Sequence, residues 1–322
     1  MIRFSPADVA LEGFRLTRER PLAVLTWAAA RLIYGVVTLY LLIGGGRGAA
    51  FNQLMTLSQS KTPSDPAALA GQMAPLIAQL APALTVLSVI SLVFYAVIYT
   101  AVLRSILRPA DRAYAYLRLS MDEVRQFGLA VIIFAAMFVY AFSLSLVSQV
   151  MIIAASSLGQ AALLVQTLVI MALIAGFIYP AVRLSLAPAM TFADGRITLF
   201  RSLPLTEKQF WPMLGAYGLA IALTVVVGLL AMVVFVFAAG ALDAAANGLS
   251  NVPALLGLMQ SDQMSLATLL TPIGVAKVVF NGLLTTLIYV IAFAPGAAIF
   301  RALSGRVGAP IAGAAKVGQP WG

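Results

Sequence analysis

Six apolar stretches, at about 22–43, 79–103, 128–152, 161–183, 212–240 and 273–301, limit what this chain can fold into more than any other feature. Each has the length of a transmembrane helix, which needs about 20 predominantly apolar residues to cross a hydrocarbon core of about 30 Å. All eleven acidic residues fall in the connections or at the ends of the stretches. The period-2 alternation of a membrane β-barrel is absent. The expected fold is therefore all-α and integral to a membrane, with six transmembrane helices in a single membrane domain over 1–322. Composition agrees, at 62% hydrophobic and 10% charged residues, where soluble domains carry about 45–50% and about 25%.

The segment before the first stretch holds Asp8, Glu12 and Glu19, and the run that follows is too long for a signal peptide, so it reads as retained. Over 1–21, Val9, Leu11, Phe14 and Leu16 oppose Asp8, Glu12, Arg15, Arg18 and Glu19, as in an amphipathic helix lying in the interface. In "RPADRAYAYLRLS", Tyr114 and Tyr116 stand among Arg108, Arg112 and Arg118, which suits phenol rings at headgroup level.

Basic residues set the orientation. Sixteen of the twenty lie in the N-terminal segment, the 104–127 and 183–211 connections and the 302–322 tail with the helix end before it. The opposite side holds Arg47, Lys61 and Lys277. The positive-inside rule then puts both termini and the tail in the cytoplasm. The net charge of +9 becomes a belt facing anionic headgroups, each basic residue contributing about 1 kcal/mol of attraction. Membrane phospholipid is the expected partner. Nucleic acid is not, since no soluble basic domain with interleaved aromatics exists to receive it.

A polar phrase recurs before spans one, three and five: "FRLTRERPL" at 14–22, "RLSMDEVRQF" at 118–127 and "RSLPLTEKQFW" at 201–211. Ser120 with Glu123, and Thr206 with Gln209, have capping-box spacing; the first copy keeps Thr17 ahead of Pro21. Spans two, four and six close on "IYTAVLRSIL", "IYPAVRLSL" and "FAPGAAIFRAL". The chain thus reads as three pseudo-repeated helical hairpins with cytoplasmic amphipathic segments, and a site is expected where the copies meet. The outer connections, 44–78 and 241–272, are apolar enough for short surface helices, and "SSLGQ" at 156–160 reads as a tight hairpin. Gly215, Gly218 and Ala222, with Ala172, Ala175 and Gly176, predict close helix packing, and Pro180 and Pro295 predict kinks.

With no Cys and no His, thiol catalysis, histidine bases, Cys or His metal sites and haem ligation by those residues are excluded. No phosphate-binding glycine loop or serine elbow is present, and no carboxylate sits at membrane depth to carry an ion relay. No enzymatic activity, cofactor or metal is expected. Arg31 is the exception to the apolar spans. It lies nine residues beyond Leu22, about 13–14 Å into the helix, and costs at least about 2.5–3.5 kcal/mol there. Two readings stand open: an arginine that snorkels to the interface, or a guanidinium facing the bundle interior or a groove open to the cytoplasmic leaflet.

The string "VRLSLAPAMTFADGRITLFRSLPLTEKQFWPMLGAYGLA" (182–220), with "ALEGFRLTRERPLAVL" near the N-terminus, resembles bacterial six-span inner-membrane proteins. These are the membrane domain fused to some glycerophosphoryl diester phosphodiesterases, and YciC-like proteins. Arg183, Ser202, Leu205, Thr206, Phe210 and Trp211 match the recurring pattern. The resemblance implies a bacterial inner-membrane location and transfers no catalytic residue, because the fused domain and its histidines are missing. The expected function is binding, or helping to move, anionic phospholipid. Its candidate contacts are Arg31, Arg15, Arg18, Arg104, Arg108, Arg112, Arg118, Arg183, Arg201 and Trp211. The alternatives are an accessory subunit, in a homo-oligomer or a larger membrane complex, and a small-molecule transporter.

Overall fold

The structure is a computed structural model that describes residues 4–59, 66–155, 161–247 and 270–305. Among them lie eleven α-helices and no strand. In chain order these are α1 (Pro6–Ala10), α2 (Glu12–Glu19), α3 (Pro21–Ile43), α4 (Gly48–Gln59), α5 (Pro66–Leu107) and α6 (Met121–Ala155). There follow α7 (Ala161–Leu184), α8 (Ala187–Asp194), α9 (Ser202–Thr206), α10 (Phe210–Asn247) and α11 (Pro272–Ser304). Six of them, α3, α5, α6, α7, α10 and α11, are long and apolar enough to cross a membrane. The chain is a multi-pass membrane protein. The hairpin expected at 156–160, nearly all of the tail and most of the 241–272 connection lie outside the described residues.

Helix starts follow local chemistry. Pro6 and Pro21 open α1 and α3, where a missing N–H costs nothing. At α6 the capping box forms: Glu123 Oε2 accepts from the Ser120 backbone N–H at 2.8 Å and from its hydroxyl at 2.6 Å, while Ser120 Oγ accepts from the Asp122 N–H at 3.3 Å. The second box does not. Thr206 ends α9, and its hydroxyl turns back to the carbonyls of Ser202 (2.9 Å) and Leu203 (3.2 Å), a local competition open to any Ser or Thr on a helix.

The long helices outrun the expected spans. At 42 residues, α5 is about 63 Å long, twice the hydrocarbon thickness. It includes residues 66–78, expected to belong to a connection; their Ala, Leu, Met and Gln are strong helix formers, and Pro75 and Pro82 are accommodated inside. Between Arg112 and Leu117 the chain makes a left-handed turn, with φ of 51°, 55° and 67° at Tyr114, Ala115 and Tyr116.

The chain divides into two compact units. One comprises Met1–Leu16, Tyr95–Ile221 and Ile291–Gly322; the other comprises Thr17–Phe94 and Ala222–Val290. In the first, the ends of α5 and α11 are the most buried segments, with Ala101, Val102, Leu103, Ala294, Ala297 and Ile299 sealed. Residues of α8, including Leu186 before it and Phe192 within it, are equally enclosed. By contrast α6 and α7 expose Phe134, Phe138, Phe142, Leu164, Leu168 and Met171, the surface a helix presents to lipid. In the second unit Trp27 is fully buried, and Tyr34 stacks on Phe94 at 4.5 Å between centroids.

Candidate functional site

Several of the basic residues marked for lipid are engaged inside the protein. Arg104, in the last turn of α5, is 2% exposed; it donates to Glu123 Oε1 at 2.7 Å and to the Tyr116 carbonyl at 2.6 Å. Its neighbour Arg108 donates to Asp122 Oδ2 at 3.0 Å and to the Phe192 carbonyl at 3.0 Å, with its guanidinium 4.2 Å over the Phe192 ring. That places a cation at the C-terminal turn of α8, where the helix dipole favours one. Arg183, closing α7, donates to the Leu203 carbonyl, to the Tyr179 hydroxyl at 2.9 Å and to Thr206 Oγ1 at 3.4 Å.

The remaining candidates are at the surface. Arg15 pairs with Glu12 at 3.2 Å and Arg201 with Asp194 at 3.4 Å, both with exposed guanidinium groups. Arg18 and Arg118 are exposed, and Arg112 reaches only the Pro109 carbonyl, at 3.4 Å. Trp211 is exposed, edge-on to Phe210 at 5.2 Å. Tyr114 projects outward as expected, whereas Tyr116 is buried and its hydroxyl donates to the Pro109 carbonyl at 3.3 Å. The left-handed turn separates two tyrosines that a regular strand would have left on one face.

Arg31 is different in kind. Its guanidinium lies over Tyr34 at 4.7 Å and within 5.7 Å of both Phe94 and Tyr289, a cage of ring faces that attracts a cation. It has neither a hydrogen bond nor an ion pair among the described residues. Beside it is a cavity of about 240 Å³ lined by α3 and α11. Thr38, Lys277 and Asn281 share the lining, and among the described residues no carboxylate does. The lining runs from Arg31 to Thr38 and Leu39 on α3 and to Gly274 on α11, toward the Ile43 end of the one and the Pro272 end of the other. The groove therefore extends away from the basic N-terminal end of α3.

Sequence reasoning found Arg31 but not its companions. The sequence shows Lys277 only as one of three basic residues on the side opposite the belt; five residues beyond the start of α11, its place in the groove depends on which face of α11 meets α3. No protein-family model matches the chain, and neither does any curated protein or solved structure.

Proposed function

We propose that this protein is a non-enzymatic component of the bacterial inner membrane that binds anionic phospholipid and helps to move it, with Arg31 and Lys277 meeting the phosphate. Arg31 is the observation that carries this. A guanidinium at span depth costs at least about 2.5–3.5 kcal/mol, yet this one has no acceptor among the described residues and faces a cavity. A phosphate supplies both the missing charge and the planar pair of acceptors that the guanidinium fork matches.

The basic excess supports cytoplasmic termini. The groove then lies on the outer side of Arg31, with Lys277 nearer the surface and Arg31 at mid-depth, a two-cation track for a headgroup leaving one leaflet. The exposed Arg18, Arg112 and Arg118 supply a belt for the opposite leaflet. A threefold repeat, and with it the likeness to the YciC-like group, is supported by the ends of α5, α7 and α11. Each carries an arginine that grips another segment: Arg104 to Glu123, Arg183 to Leu203, Arg301 to Glu12.

The test is native mass spectrometry of wild type, Arg31→Leu and Arg31→Lys after equal delipidation. Retained anionic lipid should fall about tenfold in the leucine variant, equivalent to about 1.4 kcal/mol, and recover only in part with lysine, which lacks bidentate geometry. Equal retention in all three proteins removes the proposal.

A further inference from the structure

A second cavity, of about 460 Å³, lies within the unit that contains Tyr95–Ile221 and Ile291–Gly322. That volume is within the range of about 300–1,000 Å³ typical of small-molecule sites. The three helices that end on gripping arginines all line it: Tyr95 and Tyr99 from α5, Pro180 and Ala181 from α7, Ala292 and Gly296 from α11. Tyr99 stands eight residues before Leu107, and Gly296 eight before Ser304, so both lie about 12 Å inside their helix ends. Both also fall inside the apolar stretches 79–103 and 273–301.

Its chemistry is specific. Among the described residues no Arg, Lys, Asp or Glu lines it, so a charged ligand would meet no countercharge there, where one is needed. The Tyr217 hydroxyl is committed, donating to Ser185 Oγ at 2.8 Å. Tyr99 is only 6% exposed, yet its hydroxyl has no hydrogen-bond partner among the described residues. A Cβ on Gly296 would stand 3.4 Å from the Tyr217 hydroxyl and 3.5 Å from that of Tyr99. The phenol oxygens thus converge where α11 leaves out a side chain. On the other wall Ile133, Met137 and Pro180 are exposed along the lipid-facing flank of α6 and α7, so access is sideways from the bilayer.

We infer that this cavity binds a neutral, tailed molecule bearing a carbonyl oxygen, which accepts a hydrogen bond from Tyr99 while its tail leaves between α6 and α7. A glycerolipid ester and an isoprenoid quinone share that chemistry. The site is independent of Arg31 and takes the opposite class of ligand.

Full-length protein in a carbonyl-free maltoside detergent is titrated with radiolabelled diacylglycerol in one arm and a radiolabelled isoprenoid quinone in the other, using wild type, Tyr99→Phe and Gly296→Leu. Wild type should bind saturably in at least one arm, and the arm that responds identifies the source of the carbonyl. Tyr99→Phe should weaken that binding about tenfold, the loss of one buried hydrogen bond. Gly296→Leu should abolish it while retention of anionic lipid stays at the wild-type level, which separates this site from that of Arg31. Absence of saturable binding in both arms overturns the inference, as does unchanged binding by a folded Gly296→Leu protein. Should that variant not fold, unchanged affinity in Tyr99→Phe overturns it alone.

Discussion

The guanidinium of Arg301, in the last turn of α11, donates to Glu12 Oε1 at 2.8 Å and joins residues 289 positions apart. Glu12 is buried on α2, on the same face as Leu16, and Arg15 reaches its other oxygen at 3.2 Å. The segment before the first span and the end of the last span are thereby fastened together.

Arg301 keeps 31% of its side chain exposed, so the attraction is partly screened and its loss should cost only about 1 kcal/mol globally. The local effect should be larger. Hydrogen–deuterium exchange over residues 6–19 is expected to accelerate in both Glu12→Gln and Arg301→Leu, with little change in melting temperature. Wild-type exchange in both would mean that this contact does not hold α1 and α2.

Arg104 and Glu123 form the opposite case, with side chains 3% and 6% exposed. Removing one partner of a buried pair costs about 3–5 kcal/mol where the other is left uncompensated; Arg104 keeps Asp122 at 3.8 Å, so loss of Glu123 should cost less than loss of Arg104. Arg104→Met and Glu123→Leu should each lower the melting temperature in detergent substantially. The double variant should recover part of that loss, because two apolar side chains leave no uncompensated charge while the Ser120 cap and the Tyr116 carbonyl contact stay lost. Additive losses would show the two residues to be energetically uncoupled.

Orientation can be read chemically on this Cys-free chain. Leu119, exposed just before α6, and Gln53, exposed on α4, should lie on opposite sides of the membrane. A thiol at position 119 is expected to label from the cytoplasm and one at 53 from outside; reversal of both would invert the topology, and labelling from one side would break the span assignment.

Six long helices were legible because apolar length alone signals them, and the capping box at Ser120 because its partners are local. What was illegible depended on pairing between distant segments. Nothing in the phrase around Thr206 says that its hydroxyl will fold back into α9 beside Arg183. Arg104 and Arg118 look alike in sequence; one is sealed against Glu123 and the other is exposed, because a left-handed turn intervenes. Burial of an arginine follows from where its acid is, and that is a property of the fold.

Glycines show the same limit and supply the last prediction. Gly176, Gly215 and Gly218 were read as points of close packing, yet a Cβ at any of them would meet nothing within 4 Å. The close approach is at Gly282 on α11, where a Cβ would fall 2.5 Å from Leu32 Cδ2 and 3.0 Å from Leu32 Cγ on α3. Gly218→Ala should therefore stabilise α10 slightly, by up to about 1 kcal/mol of helix propensity. Gly282→Ala should destabilise by about 1–3 kcal/mol, since the crowded Leu32 must leave its rotamer or push the helices apart. Leu32→Ala in the same chain should restore most of that loss by removing the atoms the new methyl meets. Leu32 is next to Arg31 and lines the same groove, so Gly282→Ala should also reduce retained anionic lipid, and the double variant should recover it. Thermal unfolding and native mass spectrometry on the three proteins decide the matter: a Gly282→Ala chain as stable as wild type would mean that α3 and α11 do not meet at this point, and the groove built on that contact would go with it.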